Sequence, residues 1–333
     1  MNYQFTTDIK ADVLTRGDEP TDGTSDYDAQ SLVYINRACQ LIYEGGMEID
    51  PDVREDWIWL YKKGILTLVP EFNTGTISLT QNSTAGSFSQ APTDPSGAAI
   101  SVQNWFLRAV GWQDVPVISA HTSGQTSFTL DAPWTGTTGS YSFDCFQLTY
   151  QLNSDVLRLQ SPMWVRTVVQ SFPFQPNMVA GMDLEAVRTM WPLDRIVAGV
   201  PSSFAQMMDT NISTTAYCAR FNTYSPALQY LRVEYDYLYK PADLAAAVNE
   251  QPVIPINNRR ILADVALYFL FIDKNDSRAA AALDLAQKGL RALARENRLR
   301  RMAGDQTFGQ LYPRVARMNR MMPFRTSGGL IVG

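Results

Sequence analysis

The residues that could do chemistry are few and scattered. The single histidine, His121, has no cysteine or carboxylate at ligand spacing beside it. A lone imidazole of this kind makes a poor metal site and reads as a surface or loop residue. A Ser–His–Asp triad would have to use the same histidine, and no Gly-x-Ser-x-Gly elbow supports one. Neither Gly-x-Gly-x-x-Gly nor Gly-x-x-x-x-Gly-Lys-Ser/Thr occurs, so phosphate-cradling loops are not indicated. Asp131, Asp144 and Asp155 are the carboxylates that glycoside cleavage would draw on, but their spacing selects no pair, and they read as turn and solvent-face residues. Trp105, Trp112 and Trp134 would suit a sugar-binding platform; core packing is the commoner fate of such rings. The arginines between 288 and 325 could grip phosphates, yet no stacking residues are interleaved with them, and a protein partner with acidic pockets explains them equally well. The sequence therefore predicts no catalytic, cofactor-binding or metal-ligating residue, no cofactor and no enzymatic activity.

Composition points toward packing and interfaces. Charged residues make up 18% of the 333, against 15 Tyr, 15 Phe and 7 Trp. That balance favours β-structure or large interfaces over a charged helical array. Cys39, Cys145 and Cys218 are far apart and odd in number, which predicts buried, reduced thiols and not a disulfide framework. There is no basic–apolar leader at Met1–Phe5 and no run of about 18 apolar residues, so the expectation is a chain that folds in a reducing cytoplasm without entering a membrane. Charge is polarised: residues 259–333 carry 14 Lys and Arg against 6 Asp and Glu, a net of +8, while the rest, with 14 against 27, nets −13. An acidic body with a basic end reads first as built for assembly, because the body would repel phosphate.

The elements that must position these residues follow from periodicity. Residues 1–27, polar and acidic with Gly17, Pro20 and Gly23, read as an N-terminal arm. Asp26 or Asp28 can cap a helix whose Leu32, Ile35, Cys39 and Ile42 share a face, ended by Gly45 and Gly46. Asp50 and Pro51 then predict a second helix, with Val53, Trp57, Leu60 and Tyr61 inward and Lys62 and Lys63 at its C-terminal end; 28–64 becomes a helical hairpin. From Ile65 the period changes to two. Strands are expected at 65–69, 76–80, 100–103, 115–120, 127–130, 140–148 and 156–159, with 81–99 as a polar, mobile loop. Trp105, Phe106, Trp112, Phe128, Trp134, Tyr141, Phe143 and Phe146 would supply the core of this β-domain, 65–170.

Residues 171–257 are mixed, with one or two helical turns at 184–190. In residues 228–239 Leu231, Val233, Tyr235, Tyr237 and Tyr239 alternate with Arg232, Glu234 and Asp236, the pattern of a half-solvated antiparallel strand. Two closing helices fill 258–303. Leu262, Val265, Phe269 and Ile272 form a narrow seam on the first, and Leu283, Ala286, Leu290 and Leu293 one on the second, with Lys288, Arg291, Arg295, Arg298 and Arg301 opposite. A basic C-terminal arm, 304–333, follows. The expected class is α+β: an antiparallel bundle of N- and C-terminal helices, an inserted small β-sandwich or barrel, and an extended C-terminal arm.

The order of features carries a resemblance. The helix 28–43 is followed by Trp57-Ile58-Trp59-Leu60, by the 74–80 strand, and by the 128–136 turn leading to Tyr141-Ser142-Phe143. Pro201-Ser202-Ser203-Phe204, the 231–237 strand and Pro255 with Arg260-Ile261-Leu262 come after. Over roughly residues 26–303 this resembles the head-to-tail adaptor (connector) proteins of tailed bacteriophages, especially short-tailed ones. The polar stretch 81–99 departs from that pattern. The resemblance implies a non-enzymatic virion protein, present in the host cytoplasm during assembly. It would form a ring, usually a dodecamer, beneath the portal protein, receive the tail nozzle or tail fibre proteins on its far side, and pass the genomic DNA without sequence-specific binding. In that setting Tyr312, Arg314, Arg317, Arg320, Phe324 and Arg325 are expected to form a portal-docking arm. A carbohydrate-binding, lectin-like tail protein and a tail glycosidase are the competing readings.

Overall fold

The structure is a computed structural model and describes residues 3–160, 162–167, 177–226, 229–245 and 250–311, with side chains to residue 300 except at 167 and 177. It divides into two units, one formed by residues 1–60 with 241–333 and the other by 61–240.

In the helical unit, α1 spans Thr6–Arg16 and α2 Asp28–Tyr43. The expected N-terminal arm is thus partly helix. The Phe5 N–H donates to the Asp8 carboxylate at 3.0 Å, and Ile9 and Val13, one turn apart, are fully buried. Such an i, i+4 pair is too short a signal to stand out in a polar sequence. The α2 helix matches its predicted span. Ile35, Cys39 and Ile42 are buried, and Gly45 and Gly46, at φ of 104° and 80°, take the left-handed turn that ends it.

The predicted second helix does not form. Residues 58–60 make a single 3₁₀ turn, and Lys62 and Lys63 lie in a strand. Side chains from elsewhere hold the 50–58 segment in place of helical hydrogen bonds. Arg291 binds the buried Asp50, Arg298 binds Glu55, and the Asn297 side chain accepts the Ile58 N–H and donates to Glu55 and the Asp56 carbonyl. Trp57 is fully buried and donates its indole N–H to the Ile42 carbonyl. Tertiary partners here override a local N-terminal signal.

The closing helices are α4, Arg260–Asp273, and α5, Ala279–Leu311. Residue for residue α4 is buried nearly all round, including Ile261, Ala263, Ala266 and Leu267, whereas Ile272 of the predicted seam is exposed. On α5 Ala286, Leu290 and Leu293 are buried as expected.

The β unit holds fifteen strands among the described residues. They are β1 Tyr61–Leu68, β2 Ile77–Leu79, β3 Ala85–Phe88, β4 Phe106–Ala109, β5 Ile118–His121, β6 Ser127–Leu130, β7 Gly139–Tyr141, β8 Phe143–Phe146, β9 Thr149–Gln151, β10 Val156–Leu159, β11 Met163–Thr167, β12 Asn177–Gly181, β13 Ser203–Met207, β14 Cys218–Phe221 and β15 Leu231–Tyr239, with helix α3, Leu184–Met190, between β12 and β13. One sheet of eight strands runs β1-β15-β11-β12-β13-β14-β9, with β10 also on β15. It curls until its ends nearly meet: the Val69 N–H, just past β1, donates to the Tyr150 hydroxyl on β9 at 3.1 Å. Inside lie Leu66, Tyr150, Met163, Val165, Val179, Phe204, Phe221, Val233 and Tyr235. Gly64 on β1 is required by this packing, because a Cβ there would sit 2.2 Å from the Tyr235 ring.

A five-stranded sheet, β5-β6-β3-β2-β7, and the β4–β8 pair enclose a second core. Its central strand is β3, within the stretch expected to be a mobile loop. Phe88 anchors β3 among Phe72, Phe128 and Phe143, and pairing on both edges supplies what its Gly- and Ser-rich sequence does not show.

The expectation of a helical bundle carrying a small inserted β-domain is therefore overturned. The chain mixes helices and strands, but its larger unit, residues 61–240, is built on β-strands dominated by a large, nearly closed sheet, and the described residues of the whole chain include five α-helices. Short apolar strands spread over 61–240 each look minor in sequence; their long-range pairing joins them into one sheet.

Candidate interaction surface

The groups singled out for chemistry are committed to holding the fold. His121 is not a surface residue: it is buried in β5, where Nδ1 accepts the Val102 N–H at 3.2 Å and Nε2 donates to the Gln125 carbonyl at 3.1 Å. Asp131 accepts the Val117 N–H, and Asp144 pairs with Arg108 at 2.7 Å. Asp155 pairs with Lys62 at 2.9 Å and accepts the Tyr237 hydroxyl. Burial alone would raise the Asp155 carboxyl, but the hydrogen bonds from Lys62 and Tyr237 outweigh it and hold it below the usual carboxylate range. Trp105 and Trp134 are core residues, and Trp112 packs edge-on to Trp134 at 5.5 Å between centroids. All three cysteines are free and buried. Among the described residues no cluster of His, Cys, Asp and Glu could hold a metal ion, and no helix is long and apolar enough to cross a membrane.

The basic face of α5 is partly used up. Arg291 and Arg298 hold Asp50 and Glu55, and Lys288 pairs with Asp284 one turn away, while Arg295 is exposed. The side chain of Arg301 and the whole predicted docking arm, Tyr312, Arg314, Arg317, Arg320, Phe324 and Arg325, lie outside the described residues.

An unpredicted surface comes from strand register. On the outer face of the large sheet Ile65 of β1 stands opposite Glu234 of β15, Glu234 opposite Trp164 of β11, and Trp164 opposite Met178 of β12. The row thus crosses four strands. Ile65, Trp164 and Met178 are 52%, 38% and 59% exposed, although buried neighbours on the same strands show that interior sites exist for such side chains. Glu234 is gripped from both sides, by Arg166 at 3.0 Å and Arg232 at 3.3 Å. Ile65, Trp164, Glu234 and the two arginines line a groove of about 480 Å³ with Lys63, Gly64, Tyr235 and Asp236, and Met178 continues the row beyond it. Its chemistry is that of recognition: an apolar row of broad side chains, crossed by an immobilised carboxylate and rimmed by cations. The sequence signal was the alternation in β15, which assigns Arg232 and Glu234 to an outer face. Trp164 and Met178 carry no signal of their own, because pairing partners are set by the fold.

The chain matches no known protein-family profile, and no curated protein is significantly similar to it in sequence.

Proposed function

We propose that the chain is a virion structural protein, a head-to-tail adaptor that forms a ring beneath the portal of a tailed bacteriophage. The observation that carries the reading is the exposed row Ile65–Glu234–Trp164–Met178 on the β unit. A protein that works alone gains nothing from broad apolar side chains aligned in water; a ring subunit needs such a face against its neighbour. The order of the chain supports it too. Residues from both chain ends build the helical unit, tied by Arg16 to Asp264 at 2.7 Å and by Thr6 to the Glu250 carbonyl, and the β unit is strung between them. In this reading the portal protein lies on one side and the tail nozzle or tail fibre proteins on the other. The acidic body lets genomic DNA pass without holding its phosphates, and Tyr312 to Arg325 dock on the portal.

The test is negative-stain microscopy of the purified chain mixed with portal-bearing heads that lack it. A ring under the portal is expected, lost in Trp164→Glu and weakened when the chain ends at residue 303. Heads that stay bare with the unaltered chain overturn the proposal. A lectin-like role resting on Trp105 and Trp134 finds those rings only 4% and 1% exposed.

A further inference from the structure

Two arginines of the β unit have similar aromatic settings and opposite polar ones. Arg108 on β4 lies over the Phe146 ring, with its guanidinium carbon 5.5 Å from the centroid, and all its polar reach is used: Asp144, the Tyr224 hydroxyl and the Ile196 carbonyl accept its N–H groups. Arg220 on β14 lies over the Phe106 ring at the same 5.5 Å and is 8% exposed. Its neighbours in the strand, Ala219 and Phe221, belong to the core inside the curled sheet, so alternation places Arg220 on the outer side. There its Nε has no hydrogen-bond partner and no carboxylate forms an ion pair with it among the described residues. Burial and the Arg188 charge both weaken its hold on its proton, more than Asp209 restores it. A buried guanidinium nitrogen left without a hydrogen-bond acceptor is costly, and an incoming carboxylate would relieve that cost.

Arg220 lines a cleft of about 680 Å³ with Arg188, Gln113, Asp114, Trp191 and Asp194. Asp114 is engaged by the Thr135 hydroxyl, while Asp194 and Glu185 lie 3.6 Å from Arg195 and Arg188. The two aspartates offset the two arginines, which disfavours a multiply charged anion more than a singly charged one. One carboxylate matches the planar fork of an arginine. Trp191, Pro192, Leu193 and Val115 extend the walls beyond the charged seat.

We infer that this cleft is a receptor for a glutamate or aspartate side chain presented by a segment of a partner protein. The inference goes beyond the adaptor reading and does not need the portal. Its test uses the full chain labelled with ¹⁵N at arginine, with the Arg220 Nε–H signal assigned through Arg220→Lys. Titration with the peptide Ac-Gly-Glu-Gly-NH₂ is expected to move that signal saturably, with a Kd on the order of 1–10 mM, as fits one charge-assisted fork and little else. Read from the peptide's own signals, Arg220→Lys weakens binding about tenfold, because a point charge replaces the fork. Arg188→Gln, at a side chain 48% exposed and safe for folding, weakens it about threefold. No shift up to about 50 mM, well past that range, overturns the inference, as does an equal shift with Ac-Gly-Gln-Gly-NH₂. Stronger binding of inorganic phosphate makes the site a phosphate site, and binding of succinate but not of the peptide makes it a metabolite site; either result also overturns it.

Discussion

The two units solve the problem of holding distant sequence together by different means. In the helical unit the ties between chain ends are polar, with a buried carboxylate held by a more exposed arginine: Arg16 with Asp264, Arg291 with Asp50 and Arg298 with Glu55, joined by the buried Asn297 bridging to 55–58. In the β unit the ties are rings. Phe72, Phe88, Phe128 and Phe143 pack within 4.5–5.6 Å of one another in the contacts they make, and Tyr150, Phe204 and Phe221 line the curled sheet. Polar ties demand one geometry and lose most of their worth when a partner goes. Ring contacts are less directional and degrade gradually. The helical unit should therefore be brittle at a few charged positions and the β unit tolerant except where space is exhausted.

The largest expected effect crosses that contrast at Trp57, which is both a buried ring stacked on Trp59 at 5.7 Å and a donor to Ile42. Trp57→Ala should lower unfolding free energy by about 3–5 kcal/mol in urea titration. The point of exhausted space is next. Gly64→Ala presses a methyl into the Tyr235 ring and should cost about 1–3 kcal/mol, with part recovered in a Gly64→Ala, Tyr235→Leu double variant. Arg220, whose buried Nε lacks a hydrogen-bond partner, should give the opposite sign: Arg220→Met is expected to stabilise the isolated chain by about 1–2 kcal/mol while abolishing carboxylate binding. A destabilised Arg220→Met would mean that the guanidinium supports the fold.

The smallest effect is a pH response. The hydrogen bond from Arg291 holds the Asp50 carboxyl below its ordinary range, and Asp155 is likewise depressed. A carboxyl depressed in the folded state contributes stability that is complete above the unfolded-state value, about 3.9, and is lost as pH falls through the folded value. Melting temperature should accordingly hold from neutral pH to about pH 4 and then drop. Asp50→Asn should flatten that drop more than Asp155→Asn if the helical unit is the brittle one.

The legible parts of this fold were those whose local and tertiary signals agree. Residues 28–43 with Gly45 and Gly46 became α2, residues 184–190 became α3, and the alternation at 231–239 became β15. Where the two conflict, tertiary structure decided. Asp50-Pro51 reads as a helix start, but Asp50 faces Arg291, 241 residues away in sequence. The α1 helix is hidden by its acidic surroundings, and β3 by glycine and serine. Of the site, Arg232 and Glu234 could be assigned to an outer face from alternation, but not their place beside Trp164 and Met178. Arg220 sits in an apolar four-residue strand, and nothing local marks it as lacking a partner.

The first and last strands of the β unit are paired neighbours, with Tyr61 opposite Leu238. The chain thus enters and leaves at adjacent points, about 5 Å apart as in any antiparallel pair. A gene segment spanning residues 61–240 is consequently a cassette: its borders can be spliced into any exposed turn of about that width, and the gap it leaves can be bridged by a short linker. Both halves of that exchange test whether each unit is an autonomous folding module.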